Sequence, residues 1–188
     1  MKLKIYTDGA SNGNPGIIGL GIVIHKPNEQ IERISKEEGY GTNNEAELIA
    51  VEVALKKAKE LDATEVDVLT DSALTVKWIK KVNKCKKPHL KSILDRILTL
   101  IRHFKTFSID WIAREQNADA DELANKASGI KQDICDLCGS KMVLRFRKND
   151  GYPFFGCTNF PQCNKSIHLS KEEASIIMAA KQNNKSRD

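Results

Sequence analysis

Nowhere in the 188 residues does an apolar run approach the roughly 18 residues that a membrane-spanning helix requires. No membrane partner is therefore expected. The amino-terminal residues read directly as a strand, without an apolar leader, and a cytoplasmic location is expected. Cysteine is missing where a secreted scaffold would need it, since none precedes Cys85. That excludes a disulfide framework for the front of the chain. There is no internal repeat, which excludes a solenoid. Strong charge of one sign is lacking as well: 30 basic and 25 acidic residues leave a net charge of +5.

What is present describes a soluble globular protein, 40% hydrophobic and 29% charged, with room for one domain of common size plus a small appendage. The basic excess lies mostly in the tail. Up to Ser128 there are 20 basic and 19 acidic residues, and beyond it 10 and 6. Within the front part Lys77, Lys80, Lys81, Lys84, Lys86, Lys87 and Lys91 follow one another with no acid between Ser72 and Leu94. Such a run is either a solvated helix face or a surface that meets phosphate. Cys135, Cys138, Cys157 and Cys163 crowd into the last third, and in a chain of this kind that clustering points to a metal.

Residues 2–8 predict a first strand that runs into Asp8 and breaks at a loop of glycines, asparagines and Pro15. Residues 17–25 and 30–37 predict two more strands, with Pro27-Asn28 as the turn of an antiparallel meander. Thr42 with Glu45 three residues on has capping-box form, and the apolar spacing predicts a helix to about Leu61. A β-branched strand over 65–70 ends at Asp71. The intervening helix makes a crossover, so this strand can lie parallel to the first. Helices are expected over 72–82, from 88 or 89 to about 104, and over 118–128, with a fifth strand over 106–112. The result is an α/β domain over residues 1–129, a mixed five-stranded sheet flanked by helices. Residues 130–134 read as a linker and 135–168 as a cysteine module. Residues 169–188 read as a short helix, about 170–181, and a frayed or disordered tail.

This arrangement sets Asp8 and Asp71 at the ends of neighbouring strands, with Glu47 and Asp121 in the first turns of two helices. Carboxylates gathered in one cleft repel and need a counter-charge. Hard divalent cations with oxygen ligands supply it, and two of them about 4 Å apart suit phosphoryl displacement. Asp8-Gly9-Ala10-Ser11-Asn12-Gly13-Asn14-Pro15-Gly16, Thr42-Asn43-Asn44-Glu45-Ala46-Glu47, Thr70-Asp71-Ser72 and Asn117-Ala118-Asp119-Ala120-Asp121-Glu122-Leu123-Ala124 fall in the order seen in type 1 ribonuclease H, which residues 1–128 resemble. The resemblance implies that Asp8, Glu47, Asp71 and Asp121 are the catalytic acids and bind two Mg²⁺ or Mn²⁺ ions. It also implies hydrolysis of the RNA strand of an RNA/DNA hybrid, leaving 5′-phosphate and 3′-hydroxyl ends.

The same resemblance gives Asn14, Asn44 and the backbone of Gly9, Ala10 and Ser11 contacts in the minor groove, where 2′-hydroxyls mark RNA. Thr42 and Asn14 would hold a phosphate of the DNA strand. Both asparagines also suit turn and cap duty. Trp78 matches the position of the family's DNA-strand groove and equally suits the core. Two departures stand out. The basic protrusion of some members is cut to a turn at 83–87, and the histidine-bearing loop before the last acid is absent. The shorter form resembles archaeal-type members, in which an arginine near Arg114 would serve. His25, His89, His103 and His168 are expected as surface or packing residues.

Cys135-x2-Cys138, eighteen residues, then Cys157-x5-Cys163 brackets a hairpin with its turn at Lys148-Asn149-Asp150-Gly151. Four thiolates would hold one structural Zn²⁺, because a unit this small cannot fold on its own core. Phe-Phe-Gly-Cys and Phe-Pro-Gln-Cys resemble the C-terminal zinc fingers of bacterial type IA DNA topoisomerases, which implies single-stranded DNA as a partner. Arg145, Arg147 and Lys148 beside Tyr152, Phe154, Phe155 and Phe160 fit such a surface, although some of these rings must be core. The expectation is a monomeric ribonuclease H whose zinc finger adds affinity for nucleic acid. Its rivals are a non-catalytic hybrid- or single-strand-binding protein and a DNA nuclease of the same fold.

Overall fold

The computed structural model describes residues 1–129 and 134–169, together with 171, 174, 175 and 177–179. Strands β1 (Lys2–Gly13), β2 (Gly16–His25) and β3 (Ile31–Gly41) form an antiparallel meander. Helix α1 (Asn43–Glu60) then crosses over, and β4 (Glu65–Thr70) lies parallel to β1. After α2 (Ala73–Ile79) and α3 (Pro88–Ile101), β5 (Thr106–Trp111) adds parallel to β4, and α4 (Ala118–Ala127) follows. The sheet order is β3-β2-β1-β4-β5. The expected mixed five-stranded sheet is therefore present.

Alternation along β1 divides the layers. Leu3 and Ile5 are buried between exposed Lys2 and Lys4, and they join Leu48, Val51 and Leu55 of α1 and Ile97 of α3 in the main core. On the other face α4 lies across β1, β2 and β3, and glycines of β2 let its backbone close onto the sheet. A Cβ on Gly21 would fall 1.9 Å from the Ala120 carbonyl oxygen, and one on Gly19 2.1 Å from that of Ala124. Gly9 plays the same part on the α1 side, where a Cβ would stand 2.2 Å from the Ala46 carbonyl carbon. Glycine is required at these three places because helix backbone touches strand backbone.

Several expectations change. The first strand does not end at Asp8. It runs on to Gly13, because β2 pairs with it without interruption from Gly13↔Gly16 to Lys4↔His25. What reads as a glycine- and asparagine-rich loop is mostly the end of a hairpin. The third strand likewise extends to Gly41. Helix α2 stops at Ile79, three residues early, with Lys81 left-handed at φ 59°. Helix α3 stops at Ile101, and the turn that follows carries Phe104 into the core. The fifth strand ends at Trp111, one residue early.

In the cysteine module β6 (Met142–Phe146) and β7 (Pro153–Cys157) make the expected hairpin, and β8 (Ser166–His168) adds a third, unforeseen strand against β7. The described residues between 171 and 179 are helical, as expected, while 130–133 and 180–188 lie outside the described residues. Gly21→Ala is expected to lower stability by about 1–3 kcal/mol through overpacking of α4 on the sheet, seen as a fall in Tm of several degrees by thermal unfolding.

Candidate active site

The elements place the four acids one by one. Asp8 sits inside β1, opposite Gly21, and Asp71 directly follows β4, the parallel neighbour of β1. Glu47 lies in the early turns of α1. That helix is fixed at its start by a capping box: Thr42 Oγ1 accepts from the Glu45 N–H at 3.3 Å, and Glu45 Oε2 accepts from the Thr42 N–H at 2.7 Å. Asp121 lies in the first turns of α4, which the bare glycine face allows down onto the sheet.

Bringing the acids together has an electrostatic cost. Asp8 is pushed up to about 7, first by burial and then by the charges of Asp71 and Asp121, with Arg114 opposing. Glu47 is pushed well above the usual carboxylate range by burial and by Asp8 and Asp71. The Gly9 N–H and Arg114 pull it back. Glu47 Oε2 is buried without a hydrogen-bond partner. A buried carboxylate oxygen with nothing to accept, beside an acid whose pKa burial and neighbouring acids raise, marks a place suited to a cation. The donor set is all carboxylate oxygen, which suits a hard divalent ion.

A second group of side chains holds the acids in place, and of these only Arg114 was expected from the sequence. Asn117, 1% exposed, donates through Nδ2 to Asp71 Oδ1 at 2.7 Å and to the Thr7 carbonyl at 3.0 Å. It thereby ties the end of β4 to β1. Asn125 donates to Asp121 Oδ2 at 2.8 Å, one helical turn on, and Arg114 pairs with the other oxygen of Asp121. The indole N–H of Trp111 donates to the Asp71 carbonyl at 3.0 Å. The only sequence signal for Asn117 was its place at the start of the last motif.

The residues expected to touch substrate separate into two kinds. Ser11 and Asn14 join the hairpin end to the start of α1. The Ser11 N–H donates to Asn43 Oδ1, and Asn14 Oδ1 accepts from the Asn43 N–H, both at 3.2 Å. Thr42 is the helix cap, Asn44 is exposed in the first turn, and Arg114 is exposed beside the acids. Gly9 and Ala10 are buried, and Gly9 is occupied with helix packing. Trp78 is corrected: at 7% exposed it belongs to the main core, since α2 turns it inward and leaves Lys77 and Lys80 outside. Lys80 pairs with Asp110, and Lys81, Lys84, Lys86, Lys87 and Lys91 are exposed.

In the small module the sulfur atoms of Cys135, Cys138, Cys157 and Cys163 all lie within 4.8 Å of one another. Cys135 and Cys163 stand 3.5 Å apart, Cys138 and Cys157 3.4 Å. These separations are far beyond the roughly 2 Å of a disulfide and near the edge of a tetrahedron built on Zn–S bonds of about 2.3 Å. The arrangement has the size and donor set for one Zn²⁺. Among the described residues no three of the acids bring oxygens so close. Their site is the more open one.

Comparison with known proteins agrees with this division. Residues 6–127 match the reverse transcriptase-like family, and residues 132–172 match the topoisomerase DNA-binding C4 zinc finger. The chain is 36% identical over 129 residues to a bifunctional protein of Mycobacterium tuberculosis, an alignment that takes in 68% of this chain and 35% of that protein. It thus spans about a third of the length of that relative. It is 34% identical over 142 residues to a ribonuclease H of Geotalea uraniireducens, covering 68% of this chain and 94% of that enzyme. Among solved structures it is similar to the compost-derived LC11-RNase H1 in complex with an RNA/DNA hybrid. There the TM-score is 0.63 at 36% identity, over 67% of this chain and 96% of the other. By sequence and by fold, the chain belongs to the ribonuclease H family and carries a C4 zinc ribbon behind that domain.

Proposed function

We propose that this chain hydrolyses the RNA strand of RNA/DNA hybrids, leaving 3′-hydroxyl and 5′-phosphate ends. The observation that carries the reading is the convergence of Asp8, Glu47, Asp71 and Asp121, with Asp8 held up at about 7 and Glu47 Oε2 buried without a partner. A protein that only bound polyanions would gain nothing from clustered acids. Support also comes from relatives that are named ribonuclease H and from the solved relative that holds a hybrid.

Asp8, Glu47, Asp71 and Asp121 would hold two divalent cations, Mg²⁺ or Mn²⁺. When bound, such a pair activates water for in-line attack and stabilises the leaving oxygen. The protein's own residues do the rest. Asn117 fixes the carboxylate of Asp71 relative to β1, and Arg114 and Asn125 orient that of Asp121. Exposed Arg114 stands where a phosphate would arrive, and its charge offsets the repulsion that the acids present to a polyanion. Ser11, Asn14, Thr42 and Asn44 form the polar rim suited to 2′-hydroxyl and phosphate contacts. The zinc module adds affinity for nucleic acid, including single-stranded DNA, through its basic and aromatic side chains.

Asp71→Asn is expected to abolish cleavage of a labelled hybrid, at least a hundredfold in kcat by order of magnitude, while binding stays largely intact. Cleavage at the parental rate would overturn the metal-site assignment. Because Asp8 binds its proton more tightly folded than unfolded, the metal-free domain loses stability as pH rises from about 4 through about 7. Added Mg²⁺ is therefore expected to raise Tm more at pH 8 than at pH 5.5, and an equal rise at both would contradict it. Removing residues 130–188 is expected to weaken hybrid binding more than it slows turnover, checked by comparing KM and kcat of the truncated and full-length chains.

A further inference from the structure

Trp111 closes the edge strand β5 and is 56% exposed, the most exposed aromatic side chain of the described residues outside the zinc module. Its surroundings make that exposure specific. In the sheet it pairs with Thr70, so it stands beside Asp71. Its indole N–H is already used on the Asp71 carbonyl at 3.0 Å, which fixes the ring against the chain that bears the acid. The polar edge is thus satisfied while the apolar faces are left to water. Nearby in the chain Asp110 and Arg114 meet solvent, and Asp110 pairs with Lys80. These charged groups suit phosphate or ions, while the indole offers a broad apolar face.

We propose that Trp111 is a substrate contact, a platform on which the nucleotide flanking the cleaved phosphate lays its ribose and base. The inference rests on the hybrid-cleavage reading and adds a residue to it. A phosphate held at the Asp71 carboxylate puts the adjoining sugar and base within reach of the ring. Stacking of this kind tolerates every base sequence, because each base has a π-face. The indole also couples recognition to the acid, since the same ring that meets the nucleotide holds the Asp71 main chain.

The chain has two tryptophans, and Trp78 is buried, so Trp111 can be read by its own emission. Full-length Asp71→Asn protein titrated with a hybrid is expected to show iodide quenching of its fluorescence falling by about half or more as the ring is covered. In the otherwise native chain, Trp111→Ala is expected to raise KM for the hybrid roughly five- to fifty-fold, and Trp111→Phe to keep most of the affinity. Unchanged iodide access in the saturated complex, or parental KM in Trp111→Ala, overturns the proposal. So does Trp111→Phe raising KM as fully as Trp111→Ala, because that variant keeps a ring and lacks only the N–H that holds Asp71. If the parent protein neither cleaves nor binds the hybrid, the hybrid-cleavage reading itself fails. If it cleaves while iodide still reaches the ring, only the role of Trp111 does.

Discussion

Contact between bare backbone surfaces sets this site. Carboxylates come together only if the elements that bear them approach closely, and in the front domain they approach where strands carry no side chains. Gly9 lets α1 onto β1 and brings Glu47 toward Asp8, while Gly19 and Gly21 let α4 onto β2 and bring Asp121 to the same place. A methyl group at any of the three would stand about 2 Å from helix backbone. Burial first, and then the repulsion that follows, holds Asp8 near 7, and the same packing leaves an oxygen of Glu47 unsatisfied. Folding energy spent in packing is thus stored as affinity for cations.

Around that cluster the structure places polar side chains that act through the acids. Asn117 reaches from the start of α4 to the middle of β1 and the end of β4, and in doing so makes the position of Asp71 depend on the docking of α4. Trp111 does the same for the main chain of Asp71 from the opposite side. Arg114 occupies the sequence neighbourhood where other members carry a histidine loop, and it pairs with Asp121. Together these contacts join β1, β4, β5 and α4 at one point. The zinc ribbon solves a different problem. Its few buried side chains, Met142 and Phe155 among them, make too small a core, and four thiolates around a metal supply what the core lacks.

Much of this was legible in the chain. The mixed five-stranded sheet, the crossover helix, the capping box at Thr42 and the cysteine hairpin all follow from local patterns: alternation, helical spacing, cap residues and ligand spacing. The misreadings have a common physical source. Gly9 to Gly13 looks like a loop because glycine and asparagine favour turns, yet the ladder to β2 overrides that preference. Trp78 is equally suited by type to a groove or a core, and only the direction α2 takes on the sheet decides for the core. The third strand of the ribbon is three residues long, too short to show a period.

The amino-acid sequence by itself determined the chemistry available: hard oxygen donors in one part of the chain and soft thiolates in the other, each embedded in a motif strong enough to place it on an element. Tertiary structure alone decided which groups act on one another. Asn117 meets Thr7 across 110 residues, Trp111 meets Asp71 across 40, and Glu47 meets Asp8 through a glycine whose importance lies in what packs on it. Periodicity and spacing report the neighbours a residue has along its own helix or strand. A hydrogen bond between elements, or a pKa raised by a charge brought in from another part of the chain, exists only after those elements have packed.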